Sequence, residues 1–101
     1  MALSVELRGG SGGTLGVTGE LDDSIPALLP DLDPEEYPLL SGVDRYRSTM
    51  FNTTQMRRIT IEAAKLEASA TAQQKQFLDG ILELCRRGSE TVDAQLWFLG
   101  D

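Results

Sequence analysis

Apolar and polar side chains alternate near the start of the chain, first over residues 3–8 and again over residues 15–21. A period of two is typical of a β-strand that buries one face. The connection from Gly9 to Gly13 consists of glycines and one serine. We therefore predict a β-hairpin over residues 1–21. The connection has the composition of a flexible linker, so both a native loop and an engineered insertion remain open.

A helical period appears in the second half of the chain. Asn52 and Gln55 have the spacing of a capping box, and the apolar residues that follow recur at three- and four-residue intervals. This pattern predicts a first helix from about Thr53 to Ala70. Its apolar face would consist of Met56, Ile59, Ala63 and Leu66.

A second helix is predicted to begin near Ala72. Arg86 and Arg87 would lie in its last turn, and Gly88 is placed to stop it. The residues between the two helical patterns include no breaker stronger than Ser or Thr. A single long helix within the helical region 52–88 therefore remains open. The apolar positions of the second pattern are Phe77, Leu78, Ile81, Leu82, Leu84 and Cys85.

The last pattern, over residues 92–99, predicts a closing strand that is apolar on both faces. Leu96 and Phe98 point to one side, whereas Trp97 and Leu99 point to the other. A strand in a sheet with one solvated face would alternate apolar with polar residues. We therefore expect a central strand covered twice, either by helices and the proline-rich segment or by a partner chain on one face. These elements predict one α+β domain over residues 1–101, with a small antiparallel or mixed sheet.

Residues 20–44 concentrate the charge of the protein. They hold eight carboxylates, all four prolines and no Lys or Arg, so this segment carries −8 while the rest of the chain sums to +1, which gives the net −7. Its field would extend about 8–10 Å into solvent at ordinary salt and would attract basic partners. The carboxylates are Glu20, Asp22, Asp23, Asp31, Asp33, Glu35, Glu36 and Asp44.

The prolines of this segment exclude a continuous helix and favour a wrapped loop with single helical turns. Asp33 is placed to cap one such turn, with Pro34 at its first position and Glu35 and Glu36 near its positive end. The leucines of the segment and Tyr37 make it too apolar for a free tail. We therefore expect an acidic, proline-rich loop that is pinned to the body and keeps its acids outside.

The carboxylates allow three interpretations. They form a solvated surface without a partner, a docking patch for a basic protein or mimic of a nucleic-acid backbone, or a divalent-metal site through Asp31, Asp33 and Glu35. The metal interpretation lacks the glycine and ligand rhythm of a calcium loop. Our working hypothesis is the docking patch, with Trp97 as an aromatic anchor and with no metal ligand or cofactor. The predicted partner-binding residues are Asp22, Asp23, Asp31, Asp33, Glu35, Glu36, Tyr37 and Trp97.

The composition argues against catalysis. The chain has no histidine and one cysteine, which excludes a histidine-based triad, an internal disulfide and the usual zinc sites. Cys85 shares the spacing of the apolar helix positions, so we interpret it as a core residue and not as a nucleophile. No catalytic residue is predicted, and we expect that the protein is not an enzyme.

Arginines beside Tyr46 and at Arg57 and Arg58 have the chemistry to hold a phosphate or stack on a base. The acidic net charge opposes polyanions, so we expect them to neutralise neighbouring acids and expect no direct nucleic-acid binding. The chain lacks both a run of about 18 apolar residues and the blocks of a signal peptide. We therefore expect a cytoplasmic protein without membrane contact.

Residues Val43 to Met56 and the ending Leu96 to Asp101 resemble a family of small, uncharacterised bacterial proteins found notably among actinobacteria. Its members share an Asp-x-Tyr-x-x-Thr-x-Phe-Asn segment, a helix that opens with Gln-Met, and an aromatic-x-Gly-Asp ending. This chain departs from the family at Arg45, Arg47 and Ser48, where the pattern has Pro, Gly and Asp. The resemblance implies a bacterial origin and a small accessory or immunity-like role, and it carries no activity across.

The leading functional hypothesis is a non-catalytic binding module, of the inhibitor or immunity type, that presents residues 20–44 to a basic protein. A nuclease, a toxin or another nucleic-acid enzyme would be such a partner. The alternative is a structural subunit or homodimer that associates through the apolar closing strand. The least favoured hypothesis is an enzyme that uses paired carboxylates with Mg²⁺.

Overall fold

The computed structural model describes residues 4–18, 32–44 and 46–100. Its elements are β1 (Ser4–Arg8), β2 (Thr14–Val17), a 3-10 helix (Leu40–Gly42), β3 (Ser48–Phe51), α1 (Thr53–Glu67), α2 (Ala72–Ser89) and β4 (Gln95–Leu99). Within these ranges the four strands form one antiparallel sheet in the order β2-β1-β4-β3. This is the predicted small α+β fold, with an N-terminal hairpin and a central closing strand.

Strand β4 joins the two halves of the sheet and carries the centre of the core. Leu96 pairs with Leu7 on one side and with Phe51 on the other, and all three are buried. Phe98 pairs with Val5 and meets the ring of Phe51 edge to face, with centroids 5.6 Å apart. The helices cover this face of the sheet.

The sequence pattern did not predict β3. Ser48–Phe51 is four residues long, too short to establish an alternation of its own. It becomes a strand because Met50 and Phe51 pair with Trp97 and Leu96 of β4. The strand therefore depends on a tertiary contact and not on local preference.

The hairpin connection is a closed turn. The Gly9 N–H donates to the Gly13 carbonyl and the Gly12 N–H donates to the Gly9 carbonyl, each at 2.9 Å. Gly12 has φ +89°, a left-handed conformation that glycine adopts at little cost. Beyond the turn, Leu7 pairs with Gly16 and Arg8 with Thr14, so Leu15 is the extra residue of a β-bulge.

Helix α2 holds the bulged strand from the side. Arg87 donates from Nη2 to the Leu15 carbonyl at 2.6 Å. A Cβ at position 16 would lie 2.8 Å from Arg87 Nη1 and from Leu84 Cδ2, so the glycine there gives room for this approach without a shift of either side chain. The bulge, the glycine and the arginine therefore act together to fix β2 against the helix.

The two helices are separate, and each begins with a capping box. Asn52 and Gln55 exchange the predicted hydrogen bonds at 2.9 and 2.8 Å. Thr71 and Gln74 do the same for α2 at 3.2 and 2.8 Å. Thr71 and Gln74 have the three-residue spacing of a second capping box. A new helix therefore begins here, which decides between two helices and one long helix.

The expectation that Gly88 stops α2 is wrong. The helix continues to Ser89, and Gly88 is buried within it. A Cβ at this position would collide with the sulfur of Met56 and lie 2.9 Å from Leu7 Cδ1. Gly88 therefore allows α2 to approach both α1 and the sheet.

Replacement of Gly88 by alanine should lower the free energy of unfolding by about 1–3 kcal/mol, because overpacking outweighs the gain in helix propensity. Chemical denaturation measures the change. Gly42→Ala is the control, since nothing lies within 4 Å of a Cβ built there, and it should stay within about 0.5 kcal/mol of wild type. Equal stability of Gly88→Ala and wild type would contradict the tight contact.

Candidate functional site

The candidate site is the acidic loop, defined here as residues 32–44, the described half of the acidic segment. The loop opens with the predicted capped turn. Asp33 accepts the Glu35 N–H on Oδ1 at 3.0 Å, and its carbonyl accepts the Tyr37 N–H at 2.8 Å. Pro34 occupies the first position after the cap, where its lack of an N–H costs nothing. The sequence therefore predicted the local structure of this turn correctly.

Glu62 of α1 holds the acidic loop in place. Its side chain is only 1% exposed, and its Oε1 accepts the N–H groups of Leu39 at 3.2 Å and Leu40 at 3.0 Å. The Nε of Arg58 lies 3.3 Å from Oε2 and balances the buried charge. Because Leu40 begins the 3-10 helix, the carboxylate also lies at the positive end of that turn.

Apolar and cationic contacts complete the attachment. Leu40 and Val43 are buried, and Tyr37 packs against the core while remaining partly exposed. Lys65 of α1 lies 5.2 Å from the centroid of the Tyr37 ring, and its Nζ is 3.6 Å from Glu36 Oε2. The loop is therefore attached to α1 along about two turns of that helix, from Glu62 and Arg58 to Lys65.

The acids of the described loop face solvent. Asp33, Glu35 and Glu36 are exposed, as expected for a patch that another molecule can reach. The structure thus brings these three carboxylates together with Tyr37. Asp22, Asp23 and Asp31, which were predicted for the same surface, lie outside the described residues.

Trp97 does not join this surface. It alternates along β4 with Leu96 and Phe98, so its side chain lies on the face of the sheet that turns away from the helices. There the Arg8 guanidinium lies 4.8 Å from the ring centroid, and the indole Nε1–H donates to Gln95 Oε1 at 3.1 Å. Trp97 therefore lies apart from the described acidic loop, and its role as an aromatic anchor for a partner stays a prediction.

The position of residues 32–44 also differs from the expected one. We expected either that the proline-rich segment and the helices cover opposite faces of the sheet or that a partner chain covers one face, but residues 32–44 lie against α1. The reason is the Glu62 carboxylate, which satisfies two backbone N–H groups of the loop on the helical side. On the opposite face Val17 is 61% exposed and Met50 is 43% exposed. The described loop therefore leaves that face uncovered.

Glu62 was not among the predicted site residues, although its position in the helical pattern indicates a buried carboxylate. Glu62 follows Ile59 by three residues and precedes Leu66 by four, so it lies on the apolar face of α1. A carboxylate on that face must find hydrogen-bond donors when the helix is buried. This position therefore indicates an internal anchor.

Cys85 is a buried thiol. Desolvation raises its pKa to about 11, and a hydrogen bond with Thr60 offsets this only in part. The thiolate is therefore scarce at neutral pH, which agrees with the interpretation of Cys85 as a core residue.

Two of the arginines pair with neighbouring acids as expected. Arg58 is paired with Glu62, and Arg47 lies 4.0 Å from Asp44. In the described part of the chain, no three acidic or cysteine side chains are grouped so as to hold a metal ion. Within the same ranges, neither helix has the length and apolar character needed to cross a bilayer.

Comparison of the chain with protein-family models, with curated proteins and with solved structures found no match. The resemblance to the bacterial family therefore stays a prediction.

Replacement of Glu62 by alanine should lower the free energy of unfolding by about 2–4 kcal/mol, because the Leu39 and Leu40 N–H groups lose a charged acceptor. Amide exchange at these two residues should accelerate more than exchange in the sheet. Denaturation and hydrogen exchange measure the two effects. Glu36→Gln removes an exposed carboxylate of the same loop and should cost less than about 1 kcal/mol. Unchanged exchange at Leu39 and Leu40 in Glu62→Ala would refute the anchoring role.

Proposed function

We propose that this protein is a non-catalytic binding protein, of the inhibitor or immunity type, that presents its acidic loop to a basic protein in the cytoplasm. The observation that supports this proposal is the attachment of the loop through Glu62. Two backbone N–H groups of the loop are bound to one buried carboxylate, while Asp33, Glu35 and Glu36 face solvent. The backbone that carries these exposed carboxylates is therefore fixed to α1.

A fixed loop has two advantages for binding. It has already lost most of its backbone freedom, so less entropy opposes the complex. Its charges also act from defined positions, and such charges steer a basic partner during diffusion by a factor of about 10–10³ at low salt. Both effects favour a stoichiometric binding role over chemistry.

The chemistry of the loop indicates its partner. Carboxylates spaced along a turn bind Lys and Arg side chains, and Arg in particular forms paired hydrogen bonds to a carboxylate. Tyr37 lies next to these acids and remains partly exposed, so it offers an aromatic surface for a guanidinium or an apolar side chain. Proteins that bind nucleic acids carry such basic surfaces, which makes a nuclease, toxin or related enzyme the expected partner class.

The test begins with a partner captured from the native host by the immobilised protein, followed by association kinetics. The rate of association with wild type should fall about tenfold or more between low and high salt. Glu35→Gln combined with Glu36→Gln should slow association at low salt several-fold and change dissociation little, because exposed charges act mainly on the encounter.

The matched control removes two charges elsewhere, by Glu90→Gln combined with Asp93→Asn, at the end of α2 and in the turn before β4. It should associate as wild type does. The proposal fails if no captured protein depends on Glu35 and Glu36, or if its association is insensitive to salt.

A second candidate function, a homodimer, rests on the sheet face opposite the helices. Val17 is 61% exposed there and Met50 43%, and both lie next to the row of Glu6 and Trp97. Apolar side chains exposed together in this way are typical of an interface. Sedimentation equilibrium should then give twice the monomer mass, and Met50→Glu should restore the monomer. A monomer mass at high protein concentration would exclude this function.

A further inference from the structure

A groove lies between α1 and α2 and is separate from the acidic loop. Its volume is about 480 Å³, within the range of about 300–1,000 Å³ that is usual for small-molecule sites. Arg57 and Thr60, which contribute to it, occupy a different stripe of α1 from Glu62 and Lys65. The lining residues are Arg57, Thr60, Leu82, Cys85, Arg86 and Ser89.

The hydroxyl groups of the groove are already used as donors. Thr60 donates to the Met56 carbonyl at 2.9 Å, and Ser89 donates to the Arg86 carbonyl at 2.8 Å. The remaining strong donors that the lining offers to a ligand are therefore the guanidinium N–H groups. Guanidinium groups are always charged and prefer anionic acceptors, above all carboxylates and phosphates.

The two arginines of the groove have different surroundings. Arg86 is held by Glu83 through hydrogen bonds of 2.6 and 3.1 Å, and Glu90 lies 3.7 Å from its Nη1. Arg57, in contrast, makes no ion pair or side-chain hydrogen bond with any residue in the described ranges. In a chain with net charge −7, Arg57 is thus a cation whose charge is not balanced by a described neighbour.

The rest of the lining is apolar and uncharged. Leu82 is partly buried and Cys85 is buried, so together they form the floor of the groove. Cys85 remains a neutral thiol because desolvation raises its pKa to about 11. The groove therefore combines an apolar floor with one unbalanced positive charge at its rim.

We propose that this groove binds a small amphipathic carboxylate, whose alkyl chain lies along Leu82 and Cys85 and whose head group binds Arg57. Arg86 lines the groove on the side of α2, and its hydrogen bonds to Glu83 fix the position of its guanidinium group. An alkyl chain on the order of eight carbons is well within the volume available. This site is independent of the proposed partner surface, because its residues contribute nothing to the attachment of the acidic loop.

The experiment is a titration of the ¹⁵N-labelled full chain with sodium octanoate, followed by amide chemical shifts. Saturable shifts should appear around Thr60, Leu82 and Cys85 and not in the acidic loop. Arg57→Gln should weaken the affinity about tenfold or more, since it removes the charge that no neighbour balances among the described lining residues. Arg47→Gln is the matched control, because it removes the same charge from an exposed arginine that does not line the groove. It should bind octanoate as wild type does.

Two further probes separate the two parts of the ligand. Acetate has the charge without the chain, and n-octanol has the chain without the charge, so each should bind at least about tenfold more weakly than octanoate. Thermal denaturation confirms that the variants are folded. The proposal is overturned by absence of saturable binding to wild type, by equal affinity of Arg57→Gln and wild type, or by equal binding of either probe.

Discussion

The buried carboxylate of Glu62 is the interaction on which the arrangement of the acidic loop depends. Burial of an isolated charge is costly, and this one is compensated by two backbone N–H groups of the loop and by the guanidinium of Arg58. Each side needs the other, because the carboxylate needs donors and the start of the 3-10 helix needs an acceptor. The buried carboxylate of Glu62 thus fixes the position of the exposed carboxylates of the loop.

The fold separates the surfaces of the protein by charge and by polarity. The acidic loop lies against α1. The sheet face that turns away from the helices carries Trp97, with the Arg8 guanidinium over its ring, and the exposed side chains of Val17 and Met50. The groove between the helices presents Arg57. Among the described residues, three surfaces of different chemistry therefore surround one core, and none of them overlaps another. A partner of the acidic loop and a dimer through the sheet are compatible for this reason.

The sequence predicted what depends on near neighbours in the chain. Both helices, the Asn52 capping box, the Asp33 turn and the hairpin follow from spacings of a few residues, and the central position of β4 follows from its two apolar faces. It did not predict β3, the packing role of Gly88 or the anchoring role of Glu62, because each depends on a residue distant in the chain. For the candidate site, it predicted that the acids are exposed and that Trp97 lies on the opposite face of β4 from Leu96 and Phe98, but it did not predict that the described loop packs on the helical side, away from Trp97.

The hydrogen bond between Arg87 of α2 and the Leu15 carbonyl of β2 has a consequence for the behaviour of the protein at high concentration. An outer strand offers unpaired carbonyl and N–H groups, and a foreign strand that adds to them begins an aggregate. In this hairpin the bulge at Leu15 interrupts the ladder, and Arg87 occupies the Leu15 carbonyl. Within the described residues, this bulge and this hydrogen bond leave fewer backbone groups free at the edge of the hairpin, an arrangement that disfavours the addition of a foreign strand while the chain is folded.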